Sequence, residues 1–190
     1  MLWQSIKRMF NPLLPKTLPS TCVCLDTETS GLDPEGALLL SIGAVKIKDG
    51  VILGEDKFHV IVRPDERYST ETIPIHWLRP RDTEQGIPLM DALAAFSLFI
   101  GDLPVVGYHI EFDRRVLERA LNRPMSNSFI DVADAYLKRT HQKRLTLAPG
   151  DHIDLGFEFI CEDLDIPIIE RHTALGDALT TALIYLKVMG

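Results

Sequence analysis

The sequence predicts one α/β domain built on a mixed central sheet flanked by helices, and three observations predict it. Three strand-like runs come first, and Asp49-Gly50 separates the second from the third. That dipeptide between apolar runs is a strong hairpin signal, so those two strands pair antiparallel. Helical patterns and short apolar runs then alternate to the end of the chain, the arrangement that sets parallel strands side by side under helices. Finally, 190 residues with 46% hydrophobic and 25% charged side chains make a globule, not a disordered or fibrous chain.

Residues 1–20 carry Lys7 and Arg8 within their apolar part and Pro12, Pro15 and Pro19 after it. A signal peptide needs an unbroken apolar stretch there. Trp3, Ile6, Met9 and Phe10 predict a short amphipathic helix to about residue 10, followed by an irregular arm. Its apolar stripe would dock on the domain over residues 21–190, or touch a membrane surface or a partner. Residues 22–25 (CVCL) form a short buried strand and 27–36, with Gly31, Pro34 and Gly36, a loop. Residues 38–47 and 51–62 supply the hairpin. Residues 64–88 are polar and broken by prolines, a loop with a short helix near 75–78. Leu89, Leu93, Phe96 and Ile100 fall on one helical stripe. Residues 104–108 form a short strand and 112–121 a helix ended by Asn122 and Pro124. A brief strand at 129–130 leads into a helix to residue 139, and helices over 155–164 and 173–189 complete the chain.

Cys22, Cys24 and Cys161 are too few and too apolar in setting for a disulfide framework. No run approaches the roughly 20 apolar residues of a membrane span. Both features predict a cytoplasmic protein. The net charge of −7 argues against a broad basic surface. Three of the 20 basic residues and no acid lie in the first 25 positions, leaving 17 against 27 acids in the rest. An acidic balance is still compatible with an enzyme acting on polyanions, because a site for divalent cations is itself acidic.

The acids carry the functional signal. Asp26 directly follows the first apolar run and Glu28 stands two residues on. Residues i and i+2 of an extended chain share a face, so a strand end there aims both carboxylates into one pocket. Such anions repel unless a cation neutralises them, and a divalent ion with oxygen ligands does so well. Asp113 follows the strand at 104–108. His172 and Asp177 lie about 140° apart on a continuous helix. They converge only if His172 sits in the loop before the last helix and Asp177 in an early turn.

Together these residues resemble the DnaQ-like (DEDDh) 3′→5′ exonucleases of the RNase H-like superfamily, the family of proofreading exonuclease domains. The motifs are Leu25-Asp26-Thr27-Glu28-Thr29-Ser30-Gly31-Leu32, Ser41-Ile42-Gly43-Ala44-Val45 in the next strand, Phe112-Asp113 before a helix, and His172 with Asp177-Ala178. The resemblance spans about residues 21–189. One departure is His109, where the family usually has Asn four residues before the acid. It predicts altered substrate contacts, not loss of the fold. His76 falls where many members have Val-His-Gly, and reads equally as a loop histidine or a nucleic-acid contact.

The resemblance implies hydrolysis of single-stranded nucleic acid from the 3′ end, DNA favoured over RNA, releasing nucleoside 5′-monophosphates with two Mg²⁺ or Mn²⁺ ions. Asp26 would bridge them, Glu28 and Asp177 would complete one site, and Asp113 would serve the other, with His172 as general base. Backbone amides around Thr27, Thr29 and Gly31 would hold the terminal nucleotide, and Leu32 or Phe112 would stack on a base. Arg114, Arg115, Lys138, Arg139, Lys143 and Arg144 would track phosphates or simply form solvated helix faces. A polymerase, as for a proofreading subunit, or a second copy of the chain would be the protein partner. The sequence ends at Gly190 directly after the last helix, which counts against a polymerase-docking tail. A non-catalytic binding module on the same fold is the alternative outside the enzymes, and the presence of all five motif residues argues against it.

Overall fold

The computed structural model describes residues 17–143 and 153–190, apart from the side chains of Thr70, Ile75, His76, Gln142 and Lys143. The helix expected over residues 1–10 and the basic residue Arg144 lie outside the described residues. Strands β1 (Cys22–Thr29), β2 (Leu39–Lys48) and β3 (Val51–Arg63) are followed by helices α1 (Ile73–His76) and α2 (Pro80–Glu84) and the two-residue strand β4 (Ile87–Pro88). Helix α3 (Leu89–Ile100), strand β5 (Val105–Gly107), helix α4 (Glu111–Leu121) and strand β6 (Phe129–Asp131) come next. Helices α5 (Val132–Lys143), α6 (Phe157–Asp163) and α7 (Ala174–Met189) close the chain.

The sheet runs β4-β3-β2-β1-β5-β6. The β1–β2 and β2–β3 pairs are antiparallel, while β5 runs parallel to both β1 and β6. This is the mixed sheet expected. The hairpin turn forms as its residues demand, with Asp49 at φ 51° and Gly50 at φ 78°, the two positive values of a type I′ turn.

Strand alternation divides the core in two. Cys22 and Cys24 of β1 join Val45, Tyr136, Ile160 and Tyr185 under α5, α6 and α7. Val23 and Leu25 join Ile42, Phe96, Val116 and Leu117 under α3 and α4. All three cysteines are free and buried. No helix among the described residues is long and apolar enough to cross a membrane.

Three differences from the sequence reading have simple causes. Strand β1 continues past Leu25 to Thr29 because β2 pairs with it as far as Thr29–Leu39, so Glu28 lies within the strand and the loop begins later than residue 27. Backbone pairing needs no apolar side chain. The short helix expected at 75–78 sits at Ile73–His76, since Trp77 adopts a left-handed conformation (φ 57°) and its N–H caps Ile73 O. Helix α2 and strand β4 arise in the stretch read as loop. There the Arg79 N–H and guanidinium both bond Asp82, fixing the first turn of α2.

The close approach of α7 to the sheet positions the site. Gly43 of β2 is the register partner of Asp26. A Cβ on Gly43 would lie 2.1 Å from Ala174 C and 2.2 Å from Leu175 N, so the first turn of α7 rests directly on the strand backbone. Gly43→Ala is expected to lower stability to urea by about 3 kcal/mol, the upper range for overpacking a site walled by backbone. An unchanged denaturation midpoint would show that α7 sits elsewhere.

Candidate active site

The alternation of β1 sends Asp26 and Glu28 to the side of the sheet that carries α7, as it does Cys22 and Cys24. Asp177 stands in the first turn of α7. One carboxylate oxygen from each of Asp26, Glu28 and Asp177 lies within 4.8 Å of the other two. Asp113 arrives from the opposite side, in the first turn of α4. Strand β5 pairs with β1 only at Val23 and Cys24, so the edge of β1 is open beyond them. Through that opening the Thr27 N–H and Oγ1–H donate to Asp113 Oδ1 at 3.0 and 2.6 Å. The site therefore lies outside the carboxyl ends of two parallel strands, the usual crevice for a ligand on an open α/β sheet.

Burial and mutual repulsion dominate the electrostatics. Burial, then the charges of Asp113, Glu28 and Asp177, raise Asp26 well above the ordinary carboxyl range. Glu28 is pushed up to about 8 by burial and then by Asp177. Asp113 is pushed up to about 7 by burial, against the two bonds from Thr27. Burial also raises Asp177, while Arg171, the His172 N–H and the His172 ring pull it down. The donor set suits a hard divalent cation, being made of carboxylates alone. Asp177 Oδ1 is moreover buried without a hydrogen-bond partner, an orphan acceptor that a cation would satisfy.

His172 occupies the loop before α7, as convergence requires. Its φ is 66°, and its N–H donates to Asp177 Oδ2 at 3.2 Å. The turn is tight because Gly176 lies beneath it: a Cβ there would meet Ile169 O at 2.4 Å and Glu170 O at 2.5 Å.

The substrate-side residues distribute differently. Leu32 is 79% exposed beside the site. Thr29 Oγ1 bonds Gly31 O at 2.8 Å and so shapes the loop between them. Of the amides around Thr27, Thr29 and Gly31 expected to hold a nucleotide, the Thr27 N–H is bonded to Asp113 Oδ1, as is the Thr27 hydroxyl. Phe112 is half-buried and packs on the α3–α4 core. His109 has φ 53°, a conformation in which Asn and His are both enriched; this explains how His replaces Asn there. Its N–H donates to Asp131 Oδ1 at 3.3 Å. His76 lies in α1, whose preceding residue Thr72 bonds Ser30 O at 3.0 Å. Arg114 is paired with Glu111 at 2.6 Å and Arg115 with Glu35 at 2.5 Å, so neither faces a phosphate unpaired.

The sequence reading missed Arg171. Its Nη1 lies 2.6 Å from Asp177 Oδ2 and its Nε 3.0 Å from Glu158 Oε1. Its only signal in the sequence is a cation beside His172 in an acidic neighbourhood.

A family model described as an exonuclease (RNase_T) matches residues 23–185. The chain is 28% identical over 168 residues to the PolC-type DNA polymerase III of Thermotoga petrophila, covering 88% of this chain and 12% of that protein. The chain thus spans about an eighth of the length of that relative. Among solved structures, E. coli Exonuclease I in complex with a dT13 oligonucleotide matches with a TM-score of 0.70 at 18% identity, over 88% of this chain and 40% of that one. Exonuclease X in complex with 5′ overhanging duplex DNA matches with a TM-score of 0.67 at 23% identity, over 88% and 90%.

The raised carboxyls give a signed pH dependence. Between the unfolded carboxyl range near pH 4 and the folded values of about 7 and 8, the folded metal-free protein holds protons that the unfolded chain has released. The stability these groups contribute is therefore full below about pH 4 and is lost as pH rises to about 8. In EDTA the thermal midpoint is expected to fall from pH 6 to pH 8. Calorimetric titration with Mg²⁺ at pH 7 is expected to show net proton release through its dependence on buffer ionisation heat. A midpoint that rises over that range, or binding without proton release, contradicts the electrostatics described.

Proposed function

The chain belongs to the RNase_T exonuclease family, and from that premise we propose that it hydrolyses single-stranded DNA stepwise from the 3′ end, releasing nucleoside 5′-monophosphates. The observation that carries this reading is the convergence of the Asp26, Glu28 and Asp177 oxygens within 4.8 Å beside a histidine in the turn before α7. Exonuclease I and Exonuclease X were solved with DNA, which favours DNA over RNA as substrate.

Asp26, Glu28 and Asp177 would hold one divalent ion, Mg²⁺ or Mn²⁺, and Asp113 with Asp26 the other. Two such ions supply charge neutralisation at the scissile phosphate and lower the pKa of the attacking water. Thr27 fixes the Asp113 carboxylate with two donors, so that acid needs no reorganisation during the reaction. His172 takes the proton from the attacking water, since imidazole exchanges protons near neutral pH. Its N–H bonds Asp177 Oδ2 at 3.2 Å, which supports a base beside the cluster. Leu32, exposed on the loop after β1, offers an apolar surface for the terminal base, and stacking of this kind tolerates any sequence.

A proofreading role beside a polymerase is the second reading. The similarity to PolC-type polymerase III favours it, and co-purification with a polymerase would select it over a free-standing nuclease.

A 5′-labelled oligonucleotide with Mn²⁺ is expected to give a ladder shortening from the 3′ end, faster for DNA than for matched RNA. EDTA is expected to abolish cutting while circular dichroism stays that of a folded protein. His172→Ala is expected to lower kcat by roughly 10²–10⁴ with Mn²⁺ affinity at the parental value. Asp26→Ala is expected to eliminate turnover while leaving metal-free stability unchanged or raised, since it relieves repulsion. Cutting that survives chelation sinks the metal-dependent reading. Loss of Mn²⁺ binding in His172→Ala sinks the base assignment.

A further inference from the structure

Arg171 is the one cation the structure places in direct contact with the acidic cluster, among the described residues. Its Nη1 binds Asp177 Oδ2 at 2.6 Å, the same oxygen that accepts the His172 N–H. Both hydrogen bonds fall on Oδ2, and Oδ1 is buried without a partner. The guanidinium is itself held from α6. Its Nε bonds Glu158 Oε1 at 3.0 Å, and its carbon lies 4.5 Å from the centre of the Phe157 ring, a cation–π contact. An arginine gripped on three sides keeps its planar fork in place and stays fully charged.

We propose that Arg171 is a built-in counter-cation of the site: it compensates the clustered acids while no metal is bound, and its fixed charge beside them keeps divalent-ion affinity low. The proposal deepens the functional reading above and rests on it. Arg171 is a positioning residue acting through Asp177, not a ligand. Because Glu158 and Phe157 anchor it independently of the cluster, it remains beside the site when an ion enters and repels that ion. The His172 N–H continues to orient Asp177 if Arg171 is replaced. Loss of the charge therefore outweighs loss of the hydrogen bond. A merely structural role predicts the opposite sign, since removing a group that orients a ligand ordinarily weakens metal binding by 10–100-fold.

The test is calorimetric titration of the EDTA-stripped protein with Mn²⁺, with urea denaturation of the same metal-free samples. Arg171→Gln is expected to bind Mn²⁺ at least about 10-fold more tightly, the effect of removing one charge a few ångströms from a divalent ion, and to unfold at lower urea. Arg171→Lys, which keeps the charge, is expected to retain parental Mn²⁺ affinity. If Arg171→Gln does not fold, Arg171→Met keeps the contact with Phe157 and makes the same comparison. Unchanged or weaker Mn²⁺ binding in the uncharged variant overturns the proposal, as does a lysine variant that tightens equally. A parent protein that neither binds Mn²⁺ nor cuts an oligonucleotide overturns both the proposal and the functional reading. A parent that does both, with no tightening in the uncharged variant, overturns the proposal alone.

Discussion

The site depends on the contact of a helix end with bare strand backbone. Helix α7 can bring Asp177 to Asp26 only because Gly43, the register partner of Asp26, has no side chain where Ala174 and Leu175 lie. A Cβ there, 2.1 Å from Ala174 C, would push the start of the helix off the strand and with it Asp177 away from Asp26. Gly176 repeats the device one turn along. It lets the 169–173 turn fold flat over the helix start and carry His172 to the same place. Two glycines in different elements thus fix the separation of acids that lie more than 140 residues apart.

That geometry is electrostatically expensive. Four carboxyl groups are gathered where burial already disfavours their charge, and their values rise together. The fold lowers the cost in two ways. Thr27 gives Asp113 two hydrogen bonds on the α4 side, and Arg171 with the His172 N–H serves Asp177 on the α7 side. Asp26 and Glu28, between them, receive no comparable partner in the hydrogen bonds described. The charge left uncompensated is what a divalent cation would neutralise, so ligand binding and relief of repulsion are the same event.

Much of this was legible in the sequence. Hydrophobic periodicity placed most of the strands and helices, and Asp49-Gly50 placed the hairpin, because local sterics decide such elements. The Asp-x-Glu spacing put Asp26 and Glu28 on one face, since strand alternation is local. Helical geometry allowed His172 and Asp177 to converge only with His172 in the loop and Asp177 in an early turn. The end of β1 was not legible, because β2 extends it by backbone bonds that leave no apolar mark. Arg171 was missed because its two carboxylate partners come from two helices, one of them 13 residues earlier.

The sequence by itself put Asp26 and Glu28 on one face, since that follows from backbone period, and its motifs gave the family resemblance that names the residues proposed to carry the chemistry. It did not determine what each donor is spent on. Only the tertiary structure decided that Thr27 serves Asp113, and that His109 stands at a left-handed position Asn would also fill. It also decided that Arg171 is shared between Asp177 and Glu158. Those assignments turn on ångström-scale distances between elements, and such distances are set by packing across the sheet, where no local pattern reaches.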